Sequence, residues 1–214
     1  MYSKISFAIM NEHVLFFFKY SIIFMLISFL WSGIGLMFPE STDSFVIGNP
    51  LVVSGITIEH VLGHIFWGGI MGLATLKIRY IFLGSSFSIL IDADHLLQFL
   101  DLEMISRMSH SLPFAVVCFI LFIFVIKRKD FRLAAVAFSS VISHIAFDIF
   151  NVAVILPGPA IGAAFPLFSP ITTKNFELEG IAWLFLMIIG FLIVLGATFY
   201  QKKLDRMNSE ITKT

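Results

Sequence analysis

Six stretches of this chain are apolar over about the length needed to cross a bilayer core of roughly 30 Å. They run over 14–38, 56–76, 80–97, 112–127, 131–156 and 180–200, the fourth being the shortest. No soluble globule can cover that much apolar chain. Composition agrees: 58% of the residues are hydrophobic, 13% are charged and 26 are phenylalanine, against about 25% charged in soluble domains. The predicted fold is all-α, a polytopic membrane bundle of about six helices. The first run is too long for a signal-peptide core and lacks a small-x-small cleavage site, so it reads as a retained span.

Charge is sparse and sorted. Lys and Arg total 14 and Asp and Glu 14, which leaves no basic footprint for nucleic acid. The single cysteine, Cys118, supports neither an internal disulfide nor a thiolate cluster. Lys77 and Arg79 fall between spans two and three, Lys127, Arg128, Lys129 and Arg132 between four and five, and Lys202, Lys203 and Arg206 after six. The alternate connections carry Glu40 and Asp43, or a lone Arg107 or Lys174. Because basic residues favour cytoplasmic loops, both termini are expected in the cytoplasm, with 39–55, 98–111 and 157–179 outside. No repeat or composition shift divides the chain, so 1–214 reads as one domain. The segment 157–179, with Pro157-Gly158-Pro159, Gly162, Pro166 and Pro170, is expected to be irregular and to lie over the outer mouth as a lid.

An ionisable side chain inside a span costs about 2.5–3.5 kcal/mol at mid-helix on insertion scales, so each one needs a partner or a purpose. Span six has none, and span one has only Lys19, near its edge. The rest gather as Glu59, His60 and His64 in span two, Asp92, Asp94 and His95 in three, His110 before four, and His144 and Asp148 in five. His60 and His64 are four apart, as are His144 and Asp148, while Asp92 and His95 are three apart, so each pair shares a helix face. Given the alternating span directions, all four segments reach the same outer level of the bilayer. Five of the six histidines belong to that level; His13 does not.

Imidazoles and carboxylates at these intervals suit zinc or another borderline divalent ion. The metal-ligand candidates are His60, His64, Asp92, His95, His110, His144 and Asp148. Asp94, out of phase with Asp92, suits an orienting or bridging role. A lone membrane histidine more often bonds a neighbouring helix than a metal; the common depth is what favours ligation. Arg107 suits either a solvated charge or a clamp on an anionic substrate. Glu59, Asp101 and Glu103 suit interface or loop positions, and Trp31, Trp67 and Trp183 read as lipid-facing or interfacial residues.

At Asp92-Ala93-Asp94-His95, Ser109-His110-Ser111 and Ser143-His144 through Asp148, the chain resembles the inner-membrane metal-dependent hydrolases, also called the LexA-binding membrane-associated hydrolase family. His64 through Gly68 matches an earlier motif, and Phe165-Pro166-Leu167-Phe168-Ser169-Pro170 a later proline-rich one. The resemblance spans 56–170, leaving 1–55 as an added span and loop and 180–214 as a last span and cytoplasmic tail. It departs where the family has His-Arg-Gly before Ser-His-Ser, since Arg107 lacks that histidine, and at Asn151, often threonine. What it implies is hydrolysis assisted by a divalent metal, zinc above all, with Asp94 or Asp148 as general base or orienter. A site at this depth suits a lipid, a lipid-linked ester or a phosphoester. The alternative is a metal-binding transporter or a non-catalytic membrane module.

Overall fold

The computed structural model describes residues 2–37, 56–99, 107–127, 129–152, 162–172 and 174–212. Glu40, Asp43, Asp101, Glu103, Arg128 and Pro157 to Pro159 lie outside them. The fold is all-α. Its helices are α1 (Tyr2–Gly33), α2 (Ile58–Leu73), α3 (Ile78–Leu90), α4 (Leu112–Leu121), α5 (Phe131–Phe150) and α6 (Ala182–Ile211). Three of them change pitch along the chain: α1 continues as a 3-10 helix over Ile34–Met37, α3 as a 3-10 helix over Ile91–Phe99 and α4 as a π turn over Phe122–Ile126.

Four helical segments are long and apolar enough to cross a membrane: Glu12–Met37, Ile78–Leu97, Phe131–Phe150 and Ala182–Ile211. The other two helices, α2 and α4, are shorter than the apolar runs they come from. α2 has 16 residues because Thr57 caps its start, its hydroxyl accepting the His60 N–H, and because the chain turns at Ala74–Leu76. Outward-facing side chains such as Leu15, Leu30, Phe66, Phe124 and Phe185 are exposed, as expected where lipid tails rather than water surround the bundle. α6 runs past the expected end near 200 into its charged tail, where Asp205 pairs with Arg132 at 2.6 Å.

α5 is the central helix. In its apolar window 89% of residues are buried, against 22% for α1 and α6, so α2, α3, α4 and α6 pack around it. α2 and α3 cross at nearly backbone contact. A Cβ added at Gly68 would strike the Gly84 carbonyl, and one added at Gly84 would strike that of Gly68. Small residues at such crossings are how membrane helices gain packing without a hydrophobic driving force.

Where the sequence suggested an irregular lid, the described part of 157–179 holds a two-stranded antiparallel hairpin. Its strands β1 (Gly162–Phe165) and β2 (Phe176–Glu179) pair in register from Gly162 with Glu179 to Phe165 with Phe176. Strand pairing satisfies backbone groups that the prolines bar from a helix. The hairpin is anchored, since the Leu112 N–H donates to the Leu167 carbonyl at 2.9 Å and Phe165 is buried in the core. Trp67 also departs from expectation. It is buried, packed against Phe147, Phe150 and Trp183, because α2 turns that face toward α5.

Polar groups collect at opposite ends of the bundle. At one end the buried Tyr80 hydroxyl donates to Asp130 at 2.9 Å and accepts from Arg79 at 3.1 Å, with Lys127 3.5 Å from the same carboxylate. At the other lie the histidines and aspartates.

Candidate metal centre

Each cluster residue is set by a local feature of its segment. Thr57 starts α2 so that His60 and His64 stack on one face, their Nε2 atoms 2.9 Å apart. The change to 3-10 pitch at Ile91 matters more. With three residues per turn, side chains at i and i+3 eclipse, bringing His95 Nε2 to 3.3 Å from Asp92 Oδ1. The same pitch turns Asp94 onto another edge, where its Oδ2 accepts from Ser32 of α1 at 3.0 Å and from Ser109 at 2.8 Å.

Ser109-His110-Ser111 divides its work. Ser111 caps α4, its Oγ accepting the Phe114 N–H and donating to the Met108 carbonyl at 2.7 Å. Trp31 Nε1 donates to that same carbonyl at 3.0 Å. His110, fully buried between them, faces Asp94 with Nδ1 at 3.6 Å and Asp92 with Nε2 at 3.4 Å. On α5, His144 sits one turn from Asp148, 3.5 Å away. Its Nδ1 lies 2.7 Å from the Ser88 carbonyl. A carbonyl only accepts, so Nδ1 carries a proton, and in the neutral ring Nε2 presents a lone pair.

Asp92 and Asp148 lie between two histidine pairs. Asp92 Oδ2 is 3.9 Å from His60 Nε2 and 3.8 Å from His64 Nε2, whereas its Oδ1 is 3.4 Å from both His110 and His144. Asp148 repeats this: Oδ1 is 3.8 Å from His60 and 3.3 Å from His64, and Oδ2 is 4.0 Å from His110 and 3.5 Å from His144. His110 and His144 bring their Nε2 atoms within 2.8 Å. His64 and His144 stack in parallel, with ring centroids 3.8 Å apart.

This arrangement fits a metal. Both oxygens of Asp148 and Oδ1 of Asp92 are buried without a hydrogen-bond partner, and such groups are costly in a low-dielectric interior. The His144 lone pair faces two carboxylate oxygens and another imidazole nitrogen, an assembly that repels itself unless protons or metal cations stand among the donors. For bonds of about 2.1 Å, neighbouring donors of a tetrahedral ion are about 3.4 Å apart. Most of the imidazole–carboxylate separations given above fall near that edge. The buried His/Asp groups are therefore suited to hold a metal ion.

Every residue the sequence singled out as a ligand is brought together here. His95 lies at the edge, where Arg107 Nη2 donates to its Nε2 at 3.3 Å. Arg107 adopts φ +58°, a conformation uncommon for side chains other than glycine, and this brings it alongside the cluster. Glu59 and His13 are exposed. Ser32, Ser109 and Trp31 are the partners that spacing did not reveal. Ser32 carries no ionisable group and lies in a span that looks purely apolar; a hydroxyl near the outer end of that span is its only signal.

Comparison of the chain with family models, with curated proteins and with solved structures finds no match in any of the three.

Proposed function

We propose that the protein is an integral membrane metal-dependent hydrolase acting at the outer face of the cell's inner membrane. The observation that carries this reading is the His144 lone pair, fixed by Ser88 and facing Asp92, Asp148 and His110. Zinc is the ion its nitrogen and carboxylate donors suit best. A bound ion of this kind makes water acidic enough to attack at neutral pH and polarises the oxygen of an ester or phosphoester. Both termini are assigned to the cytoplasm, because the basic residues collect at the end of the bundle away from the cluster.

The chain's own groups take distinct roles. His60, His64, His110, His144, Asp92 and Asp148 hold the ion or ions. Asp94 is a positioning residue: it is buried, it accepts two serine hydroxyls, and it faces the far nitrogen of His110 rather than the cluster interior. Asp148 turns both oxygens to the histidines, where they have no hydrogen-bond partner, and serves as a ligand. Arg107, held against His95, supplies a positive charge at the rim for an anionic group.

A lipid or lipid-linked substrate follows from the surroundings. His60 and Asp92 are the most exposed members of the cluster, at 13% and 11% of their side-chain surface. Ile58, Leu62, Leu96 and Phe99, on the same segments, are exposed apolar side chains. The segments that carry the cluster therefore also meet acyl chains, and Arg107 favours a phosphoester over a neutral ester. A transporter is less well supported, since the hydroxyls of Ser139, Ser140 and Ser143 on α5 are committed to backbone carbonyls and offer no onward path.

The test is turnover of phospholipid and other lipid-linked phosphoesters by the purified protein in detergent. Activity is expected to vanish in chelator and return with zinc. Turnover indifferent to chelator would overturn the reading.

A further inference from the structure

Each of the two carboxylates faces both histidine pairs. Asp92 directs Oδ2 toward His60 and His64 and Oδ1 toward His110 and His144, and Asp148 divides its oxygens the same way. Four ring nitrogens and four carboxylate oxygens make eight donors, twice what a tetrahedral ion takes. They separate into two sets of four, each with two imidazoles and one oxygen from each aspartate. His64 and His144, one from each set, stack in parallel at 3.8 Å.

Resting on the reading of the cluster as a metal site, the geometry points to a dinuclear centre in which Asp92 and Asp148 both bridge. His60 and His64 hold one ion and His110 and His144 the other. In this arrangement both oxygens of Asp148 and Oδ1 of Asp92, which lack hydrogen-bond partners, each have an ion to bind. A single ion would leave one pair of imidazoles joined only to each other, by the hydrogen bond of 2.8 or 2.9 Å between their Nε2 atoms. His60 also gains a reason to be present, because the first set would have one imidazole without it.

The experiment is metal loading of the full-length protein in detergent, using zinc alone for stoichiometry and cobalt(II) alone for magnetic resonance. Wild type is expected to hold two ions per chain, and its cobalt form to show a signal per ion severalfold weaker than an isolated ion gives, through coupling across the bridges. The double variant His60→Ala with His64→Ala should hold one ion with a full-strength signal, size-exclusion confirming the folded protein. One ion per wild-type chain, or two that give uncoupled signals, would overturn the dinuclear assignment while leaving a metal site. No metal in wild type would instead remove the reading on which the assignment rests. The coupling measurement needs no variant, so a misfolded double variant does not shelter the proposal.

Discussion

Asp94 stands behind His110: its Oδ2 is 3.6 Å from His110 Nδ1, on the opposite side of the ring from the Nε2 that faces Asp92. A carboxylate in that place fixes the tautomer and raises the basicity of the ligating nitrogen. Replacing Asp94 with alanine is therefore expected to weaken metal affinity by about 10- to 100-fold while leaving the number of sites unchanged. Competition against a chromogenic chelator measures this. Unchanged affinity would mean that Asp94 only ties helices together.

Ser32 links α1 to that carboxylate. Its hydroxyl donates to Asp94 and accepts the Ser109 N–H at 3.2 Å. Hydrogen bonds to a charged group contribute about 1.5–3 kcal/mol, so Ser32→Ala should lower unfolding stability in detergent by about that amount and loosen metal binding as well. A variant as stable as wild type would show that α1 is an addition without a part in the site.

The crossing of α2 and α3 sets the distance between His64 and Asp92. At Gly68 any side chain meets the Gly84 carbonyl, which is backbone and cannot swing aside. Gly68→Val is expected to cost about 1–3 kcal/mol and to release metal at lower chelator concentrations. Gly196 on α6 has no atom within 4 Å of an added Cβ, so Gly196→Ala should match wild type in both thermal unfolding and metal retention.

Arg107 reaches the cluster through a hydrogen bond to His95. Its loss should spare the metal and damage recognition of an anionic substrate: Arg107→Ala raises KM for a lipid phosphoester about tenfold or more, and Arg107→Lys recovers part of the loss because the charge remains. Steady-state kinetics with parallel elemental analysis separates the two effects. A variant that loses metal in proportion to activity would place Arg107 among the supports of the site.

The ligand pairs were legible because helical periodicity puts i and i+4 on one face whatever the tertiary structure, and His60 with His64 and His144 with Asp148 obey it. Asp92 with His95 was legible as well, although the geometry that joins them is a 3-10 helix. The change of pitch at Ile91 has no sequence signature, and it sends Asp94 toward His110 while Asp92 faces inward. Ser32 and Trp31 escaped because a hydroxyl and an indole in an apolar span look like filling until their acceptors are known. The hairpin at Gly162–Phe165 and Phe176–Glu179 escaped for a different reason: proline and glycine announce where a helix stops, not which backbone will pair. Charge sorting carried furthest, since the division between Arg79, Lys127 and Arg132 at one end and the five histidines at the other is present in the folded bundle.

The most direct test of the central claim is elemental analysis of the purified wild-type protein beside a His144→Ala variant, both shown to be folded. The account predicts tightly bound divalent metal in wild type, near two equivalents, and loss of at least one equivalent when His144 is removed. A wild-type protein without bound metal, or a variant that keeps its full complement, would contradict it.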